Sequence, residues 1–152
     1  MYYTDVKRRR LYDAQRPLQV DLPITVKTYD IDFMGIVSNI SYVRWLEDLR
    51  LHVLEVHYPL QKLISELVVP ILTQTHIEYK RPLRMHDQVN GSIWMEKFDS
   101  SGWVANVEFM VNGKIAATAN QGGVFINIGT MKPANPPEGL QKKYDEERRR
   151  SD

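Results

Sequence analysis

The stretch TYDIDFMGIVSNISYVRWLEDLR, Thr28–Arg50, holds two carboxylates, a glycine and the start of a helical pattern within one short segment. From Tyr42 onwards apolar residues recur at intervals of three and four, which is the period of a helix with one broad apolar face. This pattern predicts a helix of about four turns, roughly 22 Å long, with Asn39 or Ser41 as its N-cap. The two carboxylates precede this helix, so their role depends on how the chain enters it.

The sequence on both sides of this helix alternates between apolar and polar residues, as strands do. One strand precedes the helix, starting near Leu18, and its Pro23 favours an edge position. Four strands follow, and the last two are joined by Asn112-Gly113, a dipeptide typical of a two-residue hairpin turn. A single long helix must bury its apolar face against a sheet. The order predicts an α+β fold in which a five-stranded antiparallel sheet wraps around a long central helix.

Such a sheet leaves an edge strand unpaired. Two copies that pair edge to edge would cover it, so we expect a homodimer with a continuous ten-stranded sheet. Within the chain, residues 1–17 are predicted to be a basic arm, either a solvated tail or an anion-binding patch. Residues 18–128 form the folded domain. Residues 129–152 are a loop followed by a charged C-terminal tail, as a frayed helix or a disordered segment.

Composition limits the chemistry. The chain has 152 residues, 43% of them hydrophobic, which indicates one domain with a substantial core. The net charge of +1 favours no particular partner, and the absence of cysteine excludes disulfides, thiol nucleophiles and cysteine-bound zinc. The N-terminus has no secretory signal and the longest aliphatic run is too short to span a bilayer. We therefore expect a soluble, cytoplasmic protein.

Two acids ahead of a glycine admit several interpretations. A calcium loop that begins at Asp30 would need ligands where Met34 and Ser41 stand. An aspartyl phosphoryl-transfer site would need a buried parallel strand, whereas the preceding strand alternates. A helix cap explains one acid but not two. A catalytic carboxylate fits better, because Gly35 lets a ligand approach the backbone and the helix start offers unpaired N–H groups that polarise a carbonyl.

The run YDIDFMGIVSNISYVRWLEDLR resembles the signature of the hotdog-fold acyl-CoA thioesterases of the 4-hydroxybenzoyl-CoA thioesterase type. The match lies in Asp32, Gly35, Val37, Tyr42, Glu47 and Arg50. A second run, VPILTQTHIEYKRPLRMHDQV (Val69–Val89), resembles the family's second strand and the turn after it. The resemblance covers about Gln19–Asn127. Many relatives carry His after the glycine, where this chain has Ile36.

The resemblance implies a hotdog fold, dimeric and often tetrameric, with an active site between two subunits. Asp32 would be the catalytic carboxylate and the backbone N–H of Asn39 the donor to the thioester carbonyl, with Glu47 on the central helix as an alternative carboxylate. Substrate contacts are expected at Gly35, Val37, Ser38, Tyr42 and His76. The basic turn of Lys80, Arg81 and Arg84 would either bind the phosphates of coenzyme A or be a solvated turn.

The predicted activity is hydrolysis of acyl-CoA thioesters to a free acid and coenzyme A, with no metal and no cofactor beyond the coenzyme A of the substrate. One alternative is a non-catalytic acyl-ligand-binding or scaffold protein with the same fold. Another is a binder of nucleic acids or anionic surfaces that uses the basic arm, although nucleic acid is not the expected partner. A hotdog dehydratase is disfavoured, because the expected His near the helix is absent.

Overall fold

The structure, a computed structural model, describes residues 16–150. Its elements are strand β1 (Val20–Thr25), helix α1 (Asn39–His57), short helix α2 (Leu60–Ser65), strands β2 (Val68–Tyr79), β3 (Gln88–Asp99), β4 (Gly102–Val111) and β5 (Lys114–Asn127), and helix α3 (Glu138–Arg149). The five strands form one antiparallel sheet in the order β1-β3-β4-β5-β2. The predicted α+β architecture is confirmed.

The apolar stripe of α1 packs on the sheet. Its inward face is buried through Tyr42, Leu46, Leu49 and Val53. On the sheet side, alternate residues of β4 are buried, as a strand with one face on the core requires, namely Trp103, Ala105, Val107, Phe109 and Val111. The helix and the sheet therefore share one core, and the helix start emerges at its edge.

The start of α1 differs from the prediction. The helix begins at Asn39, three residues before the apolar period starts, and the N-cap position is Ser38. Neither Asn39 nor Ser41 is the cap, so that expectation is wrong. The side chain of Ser41 instead donates to a carboxylate from the preceding segment, because the chain folds back over the first turn.

The two edge strands differ in character. Pro23 lies in β1, at one edge, where its missing N–H removes no bond from the interior of the sheet. β2 forms the other edge, and most of its side chains are exposed. The pairing of β2 with β5 shifts register between Leu72 and Gln74, which places one extra residue in β2 and reverses the faces of the residues beyond it.

Helix α3 differs from the frayed or disordered segment that the sequence predicted. Its only strongly apolar residues, Leu140 and Tyr144, are both buried. The Tyr144 hydroxyl donates to the Glu96 carbonyl at 3.0 Å, and its ring lies 5.5 Å from that of Phe98. Two anchors on one helix face suffice here, because the sheet presents a matching aromatic surface that sequence periodicity cannot reveal.

The predicted basic arm falls mainly on residues 1–15, which lie outside the described residues. Arg16 and Pro17, which the sequence assigns to that arm, pack on the sheet. Arg16 forms an ion pair with Glu108 at 3.1 Å, and its guanidinium lies 3.8 Å from the centre of the Trp94 ring. No helix within residues 16–150 combines the length and the apolar character that crossing a membrane requires.

Candidate active site

The first of the two acids, Asp30, is a structural residue. It is 3% exposed. One carboxylate oxygen accepts the Lys27 N–H at 2.8 Å, and the other accepts the Ser41 hydroxyl at 2.8 Å. Its carbonyl accepts the Ser38 N–H at 2.7 Å. Asp30 therefore ties the end of the β1 segment to the first turn of α1, and every oxygen of its side chain is engaged.

The second acid, Asp32, lies in a tight turn and is partly exposed. Its N–H donates to the Ile36 carbonyl at 2.9 Å, and its Oδ1 accepts the Met34 N–H at 2.8 Å. Gly35, at φ +76°, supplies the left-handed backbone that closes this turn. Within the described residues Oδ2 of Asp32 has no hydrogen-bond partner and the carboxylate forms no ion pair.

The start of α1 offers the hydrogen-bond donors that the sequence predicted. Ile31 and Val37 pair as an antiparallel bridge, so the Asp32 turn is closed directly before the helix. Among the described residues, the N–H groups of Asn39 and Ile40 find no acceptor, as expected for the first turn of a helix. A carboxylate with one free oxygen and a helix start with free donors thus belong to one short elbow.

The basic turn lies against this elbow. The Val37 N–H donates to the Leu83 carbonyl at 2.8 Å, which ties the segment after β2 to the segment before α1. Leu83 is fully buried between them. The side chains of Lys80, Arg81 and Arg84 are all exposed around this buried anchor. The structure therefore joins the backbone of the basic turn at Leu83 to the acidic elbow at Val37, while the Lys80 ammonium lies 3.7 Å from a Glu78 carboxylate oxygen.

Tyr42 and Val37 belong mainly to the core. Tyr42 is 2% exposed, and its ring centre lies 5.0 Å from that of Tyr79 and 5.5 Å from that of Phe109. Burial, with a smaller contribution from Tyr79, raises the pKa of Tyr42 to about 12, so its hydroxyl stays neutral. Val37 is also buried, and its contribution to the elbow comes through its backbone.

A separate apolar groove runs between α1 and the sheet, with a volume of about 250 Å³. Glu47 lies on its wall, eight residues after Asn39 and therefore about 12 Å further along the helix axis. Asp32 is not among the lining residues. Most of the wall is apolar, including Leu51, Leu54, Leu72, Met95, Phe98 and Phe125.

Arg50 is the other charged residue on the groove wall, and its role was not predicted. Its Nη1 donates to Oε1 of Gln121 at 2.7 Å, and Nε2 of Gln121 donates to the Thr75 hydroxyl at 2.9 Å. Gln121 is fully buried. The sequence did carry a signal for this, because Gln121 falls at an inward position of β5, where the alternation of Ala117 and Ala119 predicts an apolar residue.

Trp103 adds a third polar group to the groove wall. Its ring lies so close to Gly123 that a Cβ at that position would stand 2.4 Å from Cζ2, so only glycine leaves room for the indole. The indole N–H is buried and has no acceptor within the described residues. Sequence alternation predicted the burial of Trp103 but not its unpaired donor.

His76 is not brought to this groove. It lies beyond the register shift in β2, and it lines a shallow depression together with Glu78 and Trp94. Its Nε2 lies 3.6 Å from a Glu78 carboxylate oxygen. The extra residue in β2 places His76 on the other face of the sheet, which the simple alternation of the sequence could not predict. Within residues 16–150, no group of three or more metal-ligating side chains occurs.

Comparison with known proteins is consistent with this geometry. A family model described as the thioesterase-like superfamily matches residues 26–144. This span includes the elbow, the basic turn, every lining residue of the groove except Leu18, and most of α3. No curated protein matches the chain.

Several solved structures share the fold. A DHNA-CoA thioesterase from Staphylococcus aureus has a TM-score of 0.77 and 20% identity, over 84% of this chain and 89% of its own. A thioesterase from Thermus thermophilus, in complex with coenzyme A and Zn, has a TM-score of 0.72 and 19% identity, over 88% of this chain and 96% of its own. A gentisyl-coenzyme A thioesterase has a TM-score of 0.72 and 20% identity, over 83% of this chain and 99% of its own.

Proposed function

Because the chain belongs to the thioesterase-like superfamily, as its resemblance to the hotdog thioesterases predicted, we propose that it hydrolyses acyl-CoA thioesters to a free acid and coenzyme A. The observation that carries the proposal is the elbow, where a carboxylate with one unpaired oxygen, Asp32, precedes a helix start whose first N–H groups are unpaired. Acyl transfer needs a carboxylate or an activated water and a donor for the developing oxyanion.

In the proposed reaction the thioester carbonyl accepts the N–H of Asn39, and the positive end of the α1 dipole favours the negative charge that develops on its oxygen. Asp32 then acts in one of two ways. Its Oδ2 attacks the carbonyl carbon, the C–S bond breaks, and water hydrolyses the resulting mixed anhydride. Alternatively, Asp32 removes a proton from water, which attacks the same carbon. Both routes yield the acid and the thiol and restore the carboxylate.

We propose that the reaction uses neither a metal nor a further cofactor, because of its leaving group. A thiol has a pKa of about 8.5 by analogy with cysteine, so a thiolate leaves without strong general-acid assistance. The step then depends on positioning and on stabilisation of the oxyanion, which the elbow provides through backbone groups. The proposal therefore assigns no residue of this chain to metal binding.

The main test is a matched pair of isosteric variants. Asp32→Asn removes the carboxylate while its side-chain oxygen can still accept the Met34 N–H, so the turn is retained. We expect kcat to fall by about a hundredfold or more across a panel of acyl-CoA substrates, measured with a thiol-trapping reagent. Glu47→Gln tests the alternative carboxylate on the groove wall, and Asp48→Asn, exposed on the same helix, is the control.

The outcomes separate the competing functions. A folded Asp32→Asn protein with near-normal turnover, together with an inactive Glu47→Gln, would transfer the catalytic role to Glu47. A wild-type protein that binds acyl-CoA but hydrolyses none of the panel would be the non-catalytic ligand-binding protein. After single turnover in ¹⁸O-labelled water, label in Asp32 would identify the anhydride route, with water attacking the Asp32 carbonyl of the mixed anhydride.

We also propose that the basic turn binds the phosphates of coenzyme A. The hydrogen bond from Val37 to Leu83 supports this, since it holds the turn beside the elbow. Arg84→Ala should raise KM for acyl-CoA about tenfold with little change in kcat, and the effect should shrink as salt is added. The control is Lys114→Ala, an exposed lysine at the start of β5. Equal KM values for the two variants would mean that the turn is only solvated.

A further inference from the structure

The apolar groove contains donors that an alkyl chain would leave unpaired. Arg50 uses Nη1 to bind Gln121, and within the described residues its Nε and Nη2 have no acceptor. The indole N–H of Trp103, on the same wall, also lacks one. A pure hydrocarbon in this groove would remove water from these N–H groups without replacing its hydrogen bonds, which is unfavourable.

The position of Arg50 is fixed rather than adaptable. Gln121 is fully buried, and its amide is held between Arg50 and Thr75 by hydrogen bonds of 2.7 and 2.9 Å. This relay joins α1, β5 and β2. Since the amide oxygen faces Arg50 and the amide nitrogen faces Thr75, the guanidinium is oriented before any ligand arrives, which lowers the entropic cost of binding.

The carboxylate of Glu47 disfavours a negatively charged acyl group in the groove. This carboxylate lies on the same wall, one turn before Arg50. A carboxylate on the acyl group would be attracted by Arg50 but repelled by Glu47, and it would also have to leave water. An uncharged oxygen, as in a hydroxyl or keto group, accepts hydrogen bonds from Arg50 or Trp103 without the repulsion from Glu47.

We propose that the groove selects acyl groups that carry an uncharged oxygen substituent, with Arg50 and the indole N–H of Trp103 as the donors that recognise it and Gln121 as the residue that positions Arg50. This inference rests on the proposed function, because it assumes that the acyl part of the substrate enters the groove. Arg50 lies eleven residues after Asn39, about 16 Å along the helix axis, so a medium-chain acyl group is needed to reach it.

The test compares thioesters of equal length. Decanoyl-CoA, ω-hydroxydecanoyl-CoA, a ketodecanoyl-CoA and the CoA thioester of decanedioic acid are assayed side by side, with octanoyl and dodecanoyl sets as length controls. For the wild type we expect kcat/KM to be about tenfold or more higher for the hydroxy or keto compound than for the parent, as for a hydrogen bond to a charged group. The dicarboxylic thioester should be the poorest of the four.

The variants assign that preference to residues. Arg50→Met should reduce the ratio of kcat/KM for the hydroxy compound to that for the parent to about twofold or less. Trp103→Phe, which removes the indole N–H together with part of the ring, should reduce this ratio in part. Gln121→Leu should reduce it as well, whereas Gln121→Glu should restore it because it keeps an acceptor for Arg50. Arg44→Met, an exposed arginine on the same helix, is the matched control and should retain the wild-type ratio.

The results separate a failure of the groove inference from a failure of the proposed function. If the wild type hydrolyses the whole panel, with turnover that depends on Asp32, but the ratio is near one at every length, the inference is wrong while the proposed function stands. A preference for the dicarboxylic thioester, or an Arg50→Met protein that keeps the wild-type ratio, also overturns it. If the wild type hydrolyses nothing, both proposals fall together. If Arg50→Met fails to fold, the ratio of kcat/KM values for the hydroxy and parent thioesters, measured for the wild type and for Trp103→Phe, still tests the inference.

Discussion

At the scale of single residues, two aspartates two positions apart have opposite environments. Asp30 is buried, and both of its carboxylate oxygens hold donors from the chain on either side. Asp32 is partly exposed, and one of its oxygens has no partner among the described residues. Asp30 is therefore a structural acid that ties the chain to the first turn of α1 without being its N-cap, and the catalytic role of Asp32 remains a proposal.

We predict that the two positions respond differently to the same substitution. In Asp30→Asn the amide oxygen can still accept the Lys27 N–H, but the NH₂ group takes the place of the oxygen that accepts the Ser41 hydroxyl and brings a second buried N–H without an acceptor. A buried unsatisfied group costs about 1–3 kcal/mol. The free energy of unfolding should fall by that amount, with a drop of several degrees in Tm. Asp32→Asn should leave Tm nearly unchanged and lower kcat instead.

Chemical denaturation and initial rates on the same preparations check this prediction. Asp30→Asn should keep most of its turnover at temperatures well below its Tm, since its carboxylate has no free oxygen for substrate. A loss of turnover in folded Asp30→Asn that equals the loss in Asp32→Asn would show that the division between a structural and a catalytic acid is wrong.

At the scale of elements, α3 closes one end of the core. His57, the last residue of α1, lies where α3 meets the segment before β1. Its two ring nitrogens are buried and have no well-aligned hydrogen-bond partner within the described residues, although the Leu18 and Gln19 carbonyls lie near the ring. Burial lowers the pKa of His57, and the Lys143 ammonium lowers it further, while Glu147 and the carbonyls of Leu18 and Gln19 make smaller contributions that raise it.

This environment predicts a dependence of stability on pH. A His whose pKa is lower in the folded state binds its proton more readily when unfolded, so the unfolded chain takes up more protons as the pH falls. The contribution to stability is complete above the unfolded pKa of about 6.5. It is lost as the pH falls below that value towards the folded pKa.

Thermal melts between about pH 7.5 and pH 5.5, the range around the unfolded pKa of histidine, measure this effect. The wild-type Tm should decrease across the range, and His57→Gln should decrease less, because its side chain does not titrate. His76→Gln, which replaces an exposed histidine on β2, should follow the wild type. An equal slope for His57→Gln and the wild type would contradict the assignment.

At the scale of the whole molecule, the exposed edge strand β2 remains the feature to explain. It is 12 residues long, and Ile71, Leu72 and Tyr79 are between 38% and 47% exposed. A long apolar edge of this kind invites pairing with another chain, and the opposite edge is blunted by Pro23 in β1. We therefore retain the expectation of a homodimer that pairs edge to edge, and we propose β2 as the edge that pairs.

A charge placed on that edge should disrupt the dimer. Ile71→Lys would bury an ammonium group between two copies, and the dimer dissociation constant should rise about a hundredfold or more because an unpaired charge is costly to bury. Sedimentation over a range of protein concentrations measures it. Thr25→Lys, on the β1 edge, is the control. Equal dissociation constants for the two variants would place the interface elsewhere.

The sequence by itself determined the order of the elements. Period-two alternation located β4 and β5, and the Asn112-Gly113 turn between them has positive φ at both residues. The three-four period located the central helix, and the acidic elbow is recognisable from the sequence alone. These features are local, because each is set by residues within one strand, one turn or one helix face.

Only the tertiary structure decided which residues of these elements contact one another. It separated a structural aspartate from an open one, and it joined the basic turn to the elbow through a backbone hydrogen bond. It also placed His76 on the outer face through one extra residue in β2, and it brought Arg50 and Trp103 to the wall of one groove, with Gln121 bonded to Arg50. The physical reason is common to all of these. Burial and hydrogen bonding depend on groups that are far apart in the chain, so no local pattern specifies them.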